Sequence, residues 1–263
     1  MKNQWKTLIL LAATLVAVLL YASLAKEEIR IDTRITKVNI KELLKPRPAG
    51  NDSAGVGLSA EKWKADSIKA ARQHPDTTHQ RVLFFGDSML EGLTRRLVDY
   101  TEANGHELHT VVWYSSSSKL WAETDTLQYF MRKVDPTYII VCLCGNELFV
   151  NDLDQRDKYI KTILGKIGDI PYVWVSPPNW KEDTGINDVI IRNVGKDRYF
   201  DSRYLKLERG KDHAHPTFSA AAIWADTIAA WLRSPQTAHP IKLDTPVEKA
   251  KHPDVTLLMP YRQ

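Results

Sequence analysis

Arg81-Val82-Leu83-Phe84-Phe85-Gly86-Asp87-Ser88-Met89-Leu90-Glu91-Gly92-Leu93 is the stretch on which the reading of the whole chain turns. Val82 to Phe85 is an apolar run with the length of a buried strand, and Met89 onward has the apolar spacing of a helix start. Ser88 therefore stands at a strand-to-helix turn. A hydroxyl held there lies near the positive end of a helix, and its own backbone N–H can face a developing oxyanion.

A serine hydroxyl is a poor nucleophile until a base takes its proton, and that base needs a third group to hold its tautomer. Asp212-His213-Ala214-His215-Pro216-Thr217 supplies both partners. One tight turn across Asp-x-x-His brings the Asp212 carboxylate back to the His215 imidazole, and Pro216 fixes the entry into a helix from Thr217 to Leu232. Apolar residues at 221, 224, 225, 228, 231 and 232 give that helix one packing face. Between these two motifs, Gly145-Asn146-Glu147 follows another apolar run and places the Asn146 amide at a strand end.

With these motifs in this order, the chain resembles the SGNH, or GDSL-type, hydrolases over residues 80–232. Four blocks define that family: Gly-Asp-Ser, a glycine after the second strand, Gly-x-Asn-Asp after the third, and Asp-x-x-His near the end. The resemblance implies an α/β protein with a three-layer α/β/α, flavodoxin-like fold around a parallel sheet of about five strands. It also implies Ser88 as nucleophile, His215 as base and then acid, Asp212 as its orienting partner, and no cofactor or metal. The oxyanion would be held by the backbone N–H groups of Ser88 and Ser118 and by the Asn146 amide. Two blocks depart from the pattern. Serine stands at every candidate glycine position in Tyr114-Ser115-Ser116-Ser117-Ser118, where Ser118 matches best by distance from Ser88. Cys144 and Glu147 replace the first glycine and the aspartate of the third block. A backbone N–H survives the exchange of glycine for serine if its dihedrals are allowed.

Taken singly, each motif has a plainer reading. Gly, Asp and Ser are ordinary turn residues, and Asp212, Asn146 or Thr217 could cap helices. The elbow of the α/β-hydrolases, Gly-x-Ser-x-Gly, is excluded because Leu90 stands where its second glycine would be. Asp212, His213 and His215 could ligate a metal, but no second ligand motif accompanies them.

The catalytic motifs occupy the centre of a 263-residue chain, which divides into 1–25, 26–77, 78–235 and 236–263. From Thr7 to Ala25 no residue is charged; Lys2 and Lys6 precede this run and Lys26 follows it. At about 1.5 Å per residue it nearly spans a hydrocarbon core of about 30 Å, as a membrane anchor would, while Ser23 and Ala25 leave a cleaved signal peptide open. Both readings put the rest of the chain across the membrane, in the cell envelope or outside the cell. Residues 26–77 read as a stalk, with a linker around Pro46 to Gly55 and a docking helix from Ser59 to Gln73; residues 236–263 read as a tail whose Val255–Met259 segment wraps the surface. Cys142 and Cys144, two apart on one strand, read as buried thiols.

Expected strands are 81–85, 108–113, 138–143, 172–175 and 198–200; expected helices are 89–104, 121–133, 154–167 and 217–232. A net charge of +4 with signs interspersed offers no basic block for nucleic acid. Trp113, Tyr114, Trp121 and Trp180 lie on or near the loops that would frame a site, where an aromatic face can stack on a sugar ring; burial in the core is the plainer alternative. Asp87 and Trp180 are candidate substrate contacts. The expected partner is an acylated carbohydrate or small ester, with acetyl the favoured acyl group. An O-acyltransferase resolving the same acyl-enzyme with a sugar hydroxyl, and a catalytically silent glycan-binding module, are the alternatives.

Overall fold

Every strand that carries a site motif enters it from the same end of one parallel sheet. The computed structural model describes residues 74–250 and 253–260, and the backbone of the strand at 34–37. In chain order the elements are β1 (Arg34–Lys37), β2 (Arg81–Gly86), α1 (Leu90–Ala103), β3 (Glu107–Trp113), α2 (Ser118–Glu123), α3 (Thr126–Val134), β4 (Tyr138–Cys142), α4 (Leu153–Ile167), β5 (Tyr172–Val175), α5 (Ile186–Val194), β6 (Tyr199–Phe200), α6 (Phe218–Leu232) and β7 (Asp254–Leu258). The sheet runs β1-β7-β3-β2-β4-β5-β6 with every pairing parallel. The fold is α/β with three layers, and the order of β2 to β6 is that of a flavodoxin-like sheet.

Alternation along each strand sorts side chains into two cores. Leu83, Phe85, Val111, Ile139, Val141 and Trp174 face one layer, which α2 to α5 cover with Trp121, Phe130, Ile163 and Ile190. Val82, Phe84, Val112, Ile140 and Val175 face the other, covered by α1 and α6 with Leu93, Leu97, Trp224 and Ile228. Connections between parallel strands are right-handed, so the direction of travel across the sheet decides the face a helix occupies. The moves from β2 to β3 and from β6 to β7 run one way and carry α1 and α6. The three moves from β3 to β6 run the other way and carry α2 to α5.

Several expectations need correction. Among the described residues the five expected strands are present, and two further ones, β1 and β7, extend the sheet beyond β3. β1 lies within the run read as a stalk, and β7 within the run read as a surface tail, where Thr256 and Leu258 are each 1% exposed. The helix expected at 121–133 is two helices, since Thr124 is extended (φ −108°, ψ 163°) and breaks it. Helix α5 was not anticipated; its apolar residues 186, 189, 190 and 194 follow helical spacing but are interrupted by Asn187 and Asp188. The described residues lie in the unit Arg34–Gln263, and the Thr7–Ala25 segment and the helix expected at 59–73 fall outside them. Among the described residues no helix is long and apolar enough to cross a membrane.

The position of β7 carries a prediction. Ending the chain after residue 235 removes an interior strand together with Ile241 and Leu243, which are 2% and 1% exposed. Each such side chain contributes about 1.5–3 kcal/mol by burial, against a total stability of about 5–15 kcal/mol. The loss also leaves β3 as an open edge. The truncated chain should be recovered as aggregate where the full chain is soluble, as sedimentation and size-exclusion chromatography would report.

Candidate active site

Gly86 sets how closely the two central strands meet at their carboxyl ends. A Cβ on Gly86 would lie 1.7 Å from the Cys142 carbonyl oxygen, so only glycine allows β2 to stay paired with β4 there. The next residue, Asp87, is 1% exposed. Its Oδ1 accepts the Met89 N–H at 3.0 Å and its Oδ2 accepts the Gly145 N–H at 2.8 Å. Asp87 thus ties the Ser88 turn to the 3₁₀ turn Gly145–Glu147. Its carboxylate faces backbone donors within the protein, which corrects its expected role as a substrate contact.

Burial lifts the Asp87 carboxyl from 3.8 to about 6, against the two N–H donors and with some help from the charge of Glu147. An acid whose folded pKa is raised binds more protons folded than unfolded, so stability falls as pH rises between about 4 and about 6, here by up to about 3 kcal/mol. Asp87→Asn should flatten the urea-unfolding free energy across that window. Its absolute stability should drop, because an amide can accept only one of the two N–H groups.

His215 is presented by a hairpin. Gly210 N–H donates to the His215 carbonyl at 2.8 Å, Thr217 N–H donates to the Glu208 carbonyl at 2.9 Å, and His213 takes a left-handed conformation (φ 58°) at the tip. Asp212 organises the turn: Oδ1 accepts the N–H groups of Ala214 and His215, each at 3.0 Å, and Oδ2 lies 2.6 Å from His215 Nδ1. These bonds hold the Asp212 carboxyl down at about 2. An ionised acceptor at Nδ1 fixes the proton there, leaving Nε2 to accept; Ser88 Oγ lies 2.7 Å from it and donates. The structure therefore brings Ser88, His215 and Asp212 into one hydrogen-bonded line. Thr217 caps α6 by accepting the Ala220 N–H, and the buried Trp224 indole of that helix donates to Ser202 Oγ at 2.9 Å, which anchors the helix that follows His215.

The two remaining motifs are joined to each other. Asn146 Nδ2 donates to the Ser116 carbonyl at 2.9 Å, which leaves its second amide hydrogen for another acceptor. Ser118 lies at the start of α2 and is fully buried; its N–H donates to Glu147 Oε2 at 2.7 Å and its hydroxyl to Glu147 Oε1 at 2.7 Å. That N–H is engaged, so Ser118 does not serve as an oxyanion donor in this arrangement. Between the Ser116 and Ser118 contacts, the N–H of the partly exposed Ser117 has no hydrogen bond among the described residues.

The aromatic candidates separate. Trp113 and Trp121 are fully buried and pack edge to face at 5.3 Å, and Trp121 Nε1–H donates to Ser116 Oγ at 3.0 Å, so both support the loop from within. Trp180 is partly exposed, with the Phe149 ring edge-on at 5.7 Å. It lines an open groove with Tyr204, Leu205, Leu207, Arg209 and His213. Arg209 joins this groove to the turn that carries His215, donating to the carbonyls of Ala214 at 2.6 Å, Pro178 at 3.2 Å and Asn179 at 3.1 Å. Cys142 and Cys144 are free and buried, and burial pushes both thiols well above their ordinary range. Among the described residues no group of three or more His, Cys, Asp or Glu could hold a metal ion.

Sequence reasoning gave no structural role to Glu147 or Arg209. For Glu147 the signal was present: a longer acid stood where the pattern has aspartate, in the same chain where serine replaces glycine.

No known family model matches the chain, and no curated protein matches it. Among solved structures, a gut microbial diltiazem-metabolizing enzyme aligns with a TM-score of 0.43 and 13% identity, over 62% of this chain and 48% of that one. The chain thus spans about half the length of that enzyme, and a likeness of this degree bears on neither activity nor substrate.

Proposed function

We propose that this chain is a serine esterase of the SGNH type that removes O-acyl groups, acetyl in the first instance, from a glycan. The observation that carries the reading is the line from Ser88 Oγ through His215 to Asp212, with separations of 2.7 and 2.6 Å. Ser88 attacks the ester carbonyl as its proton passes to Nε2. His215 then returns that proton to the leaving alkoxide, and a water repeats the sequence on the acyl-enzyme. His215 and Asp212 side chains are 41% and 53% exposed, so solvent reaches the base that must activate this water. The oxyanion is held by the Ser88 N–H, the free hydrogen of the Asn146 amide and, in place of Ser118, the Ser117 N–H.

The glycan rests on Trp180. Trp180 meets the Phe149 ring edge to face, and it stands on a loop where Asp183 accepts from Asn179, Gly185 and Asn187, so little side-chain freedom remains to be lost on binding. The Thr7–Ala25 run and its preceding lysines support a location of this activity on the far side of a membrane, in the cell envelope or beyond it.

The test is to incubate the full chain with a fluorophosphonate and with p-nitrophenyl acetate, and to assay acetate release from acetylated xylan and peptidoglycan. The expected result is one phosphonate per chain, on the peptide containing Ser88, together with hydrolysis of the small ester and of one polymer. Absence of both labelling and hydrolysis would overturn the reading. Labelling without hydrolysis, relieved by an added sugar acceptor, would identify an acyltransferase.

A further inference from the structure

We propose that Glu147 is a positioning residue that sets the oxyanion donors, acting through Ser118; the inference rests on the esterase reading above. Its carboxylate is 1% exposed and receives the Ser118 N–H and hydroxyl, each at 2.7 Å, with Arg156 Nε 3.2 Å from Oε1. The fully buried Cys144 lies beside it, and burial together with the charge of Glu147 pushes that thiol well above its ordinary range. A carboxylate in such a place is tolerated only when it is paired, and here Ser118 of α2 donates to both oxygens while the Arg156 guanidinium of α4 supplies the opposite charge. Cys144 and Glu147 are also positions at which the chain departs from the pattern it resembles, and Ser118 stands in the serine run that replaces the pattern's glycine. They form one contact group rather than three unrelated changes.

The consequence is mechanical. Asn146 is fastened to the Ser116 carbonyl and the adjacent Glu147 to Ser118, so two staples straddle Ser117. The loop at 115–118 and the turn Gly145–Glu147 are thereby locked as one body, and the Ser117 N–H is fixed relative to the Asn146 amide. Oxyanion donors act at about 2.7–3.1 Å, and a displacement of about 1 Å lowers rate by roughly 100-fold. An aspartate at 147 would end about 1.5 Å short of Ser118. A glutamine would keep the reach but turn an N–H₂ toward one of the donors.

The experiment compares full-length wild type, Glu147→Gln, Glu147→Asp and Ser118→Ala, with active sites counted by complete fluorophosphonate labelling. For both Glu147 variants, kcat per labelled site on p-nitrophenyl acetate should fall about 10- to 100-fold while KM changes less than about threefold. Inhibition by a small boronic acid, which forms a tetrahedral adduct at the serine, should weaken by a matching factor. Ser118→Ala, which removes only the hydroxyl contact, should show a smaller loss in the same direction, and it carries the test if the Glu147 variants do not fold. A purely structural role would lower the number of labelled sites and leave kcat per site unchanged; that result overturns the proposal. Wild type that neither labels nor hydrolyses overturns the esterase reading instead.

Discussion

Ser88→Ala should lower kcat on p-nitrophenyl acetate by about 10⁵- to 10⁶-fold, with KM within a few-fold of wild type. On the esterase reading proposed above the hydroxyl is the atom that forms the acyl-enzyme, and the neighbouring Asp87 cannot replace it, being turned inward to backbone donors. The oxyanion donors and the Trp180 groove survive the change, so some acceleration over water, about 10³- to 10⁴-fold, should remain. Ser88 is partly exposed and, among the described residues, its hydroxyl hydrogen-bonds only to His215, so the unfolding temperature should move little. Steady-state kinetics alongside calorimetry checks both statements. A variant retaining more than a tenth of wild-type kcat would mean that His215 activates water directly and that no acyl-enzyme forms.

Asp212→Asn should cost about 10⁴-fold in kcat while leaving Ser88 in place. The reason lies in how the carboxylate divides its contacts. Oδ1 accepts two backbone N–H groups and Oδ2 faces His215 Nδ1 at 2.6 Å. An asparagine that keeps its oxygen on the backbone donors must turn its N–H₂ toward Nδ1. The imidazole proton then moves to Nε2, where it points at Ser88 Oγ and cannot accept from it. The opposite flip restores the tautomer but sets N–H₂ against two N–H groups and opens the turn. Either outcome disables the base, whereas Asp212→Glu should recover part of the rate by keeping a charged acceptor. The pH profile should discriminate as well. With its carboxyl held at about 2, Asp212 stays ionised through the whole working range, and the wild-type acid limb should owe nothing to it above about pH 3.

The general architecture was legible because it is written in periodicities that do not depend on distant residues. The apolar run before Gly86 and the spacing of α6 specify their elements locally, and the positions of Ser88 and His215 follow from those elements. What escaped depends on contacts far apart in sequence. Whether the Ser118 N–H is free is decided by Glu147, and nothing in Ser115 to Ser118 announces that partner. Trp113 and Trp121 have the same composition signal as Trp180, yet they sit fully buried under the loop. β7 was misjudged because a short strand bounded by proline-containing, polar sequence looks like a surface strap; only the open edge of β3 makes it an interior strand. Asp87 was misread for a similar reason, since a turn carboxylate beside a nucleophile invites a substrate role until its two backbone partners are known.

The insertion of β7 between β1 and β3 also orders events in time. Among the described strands β1 is made first, and β7, which pairs with it in the sheet, is made last. As the chain emerges from a ribosome or a translocation channel, β2 to β6 can assemble, with Ser88 and Asn146 already at their strand ends, while β1 has no edge to join. Arrival of residues 254–258 closes both gaps in one step. Until then the growing protein presents β3 as an unprotected parallel edge, which makes the interval before the final strand the period of greatest exposure to misassembly and to chaperone capture.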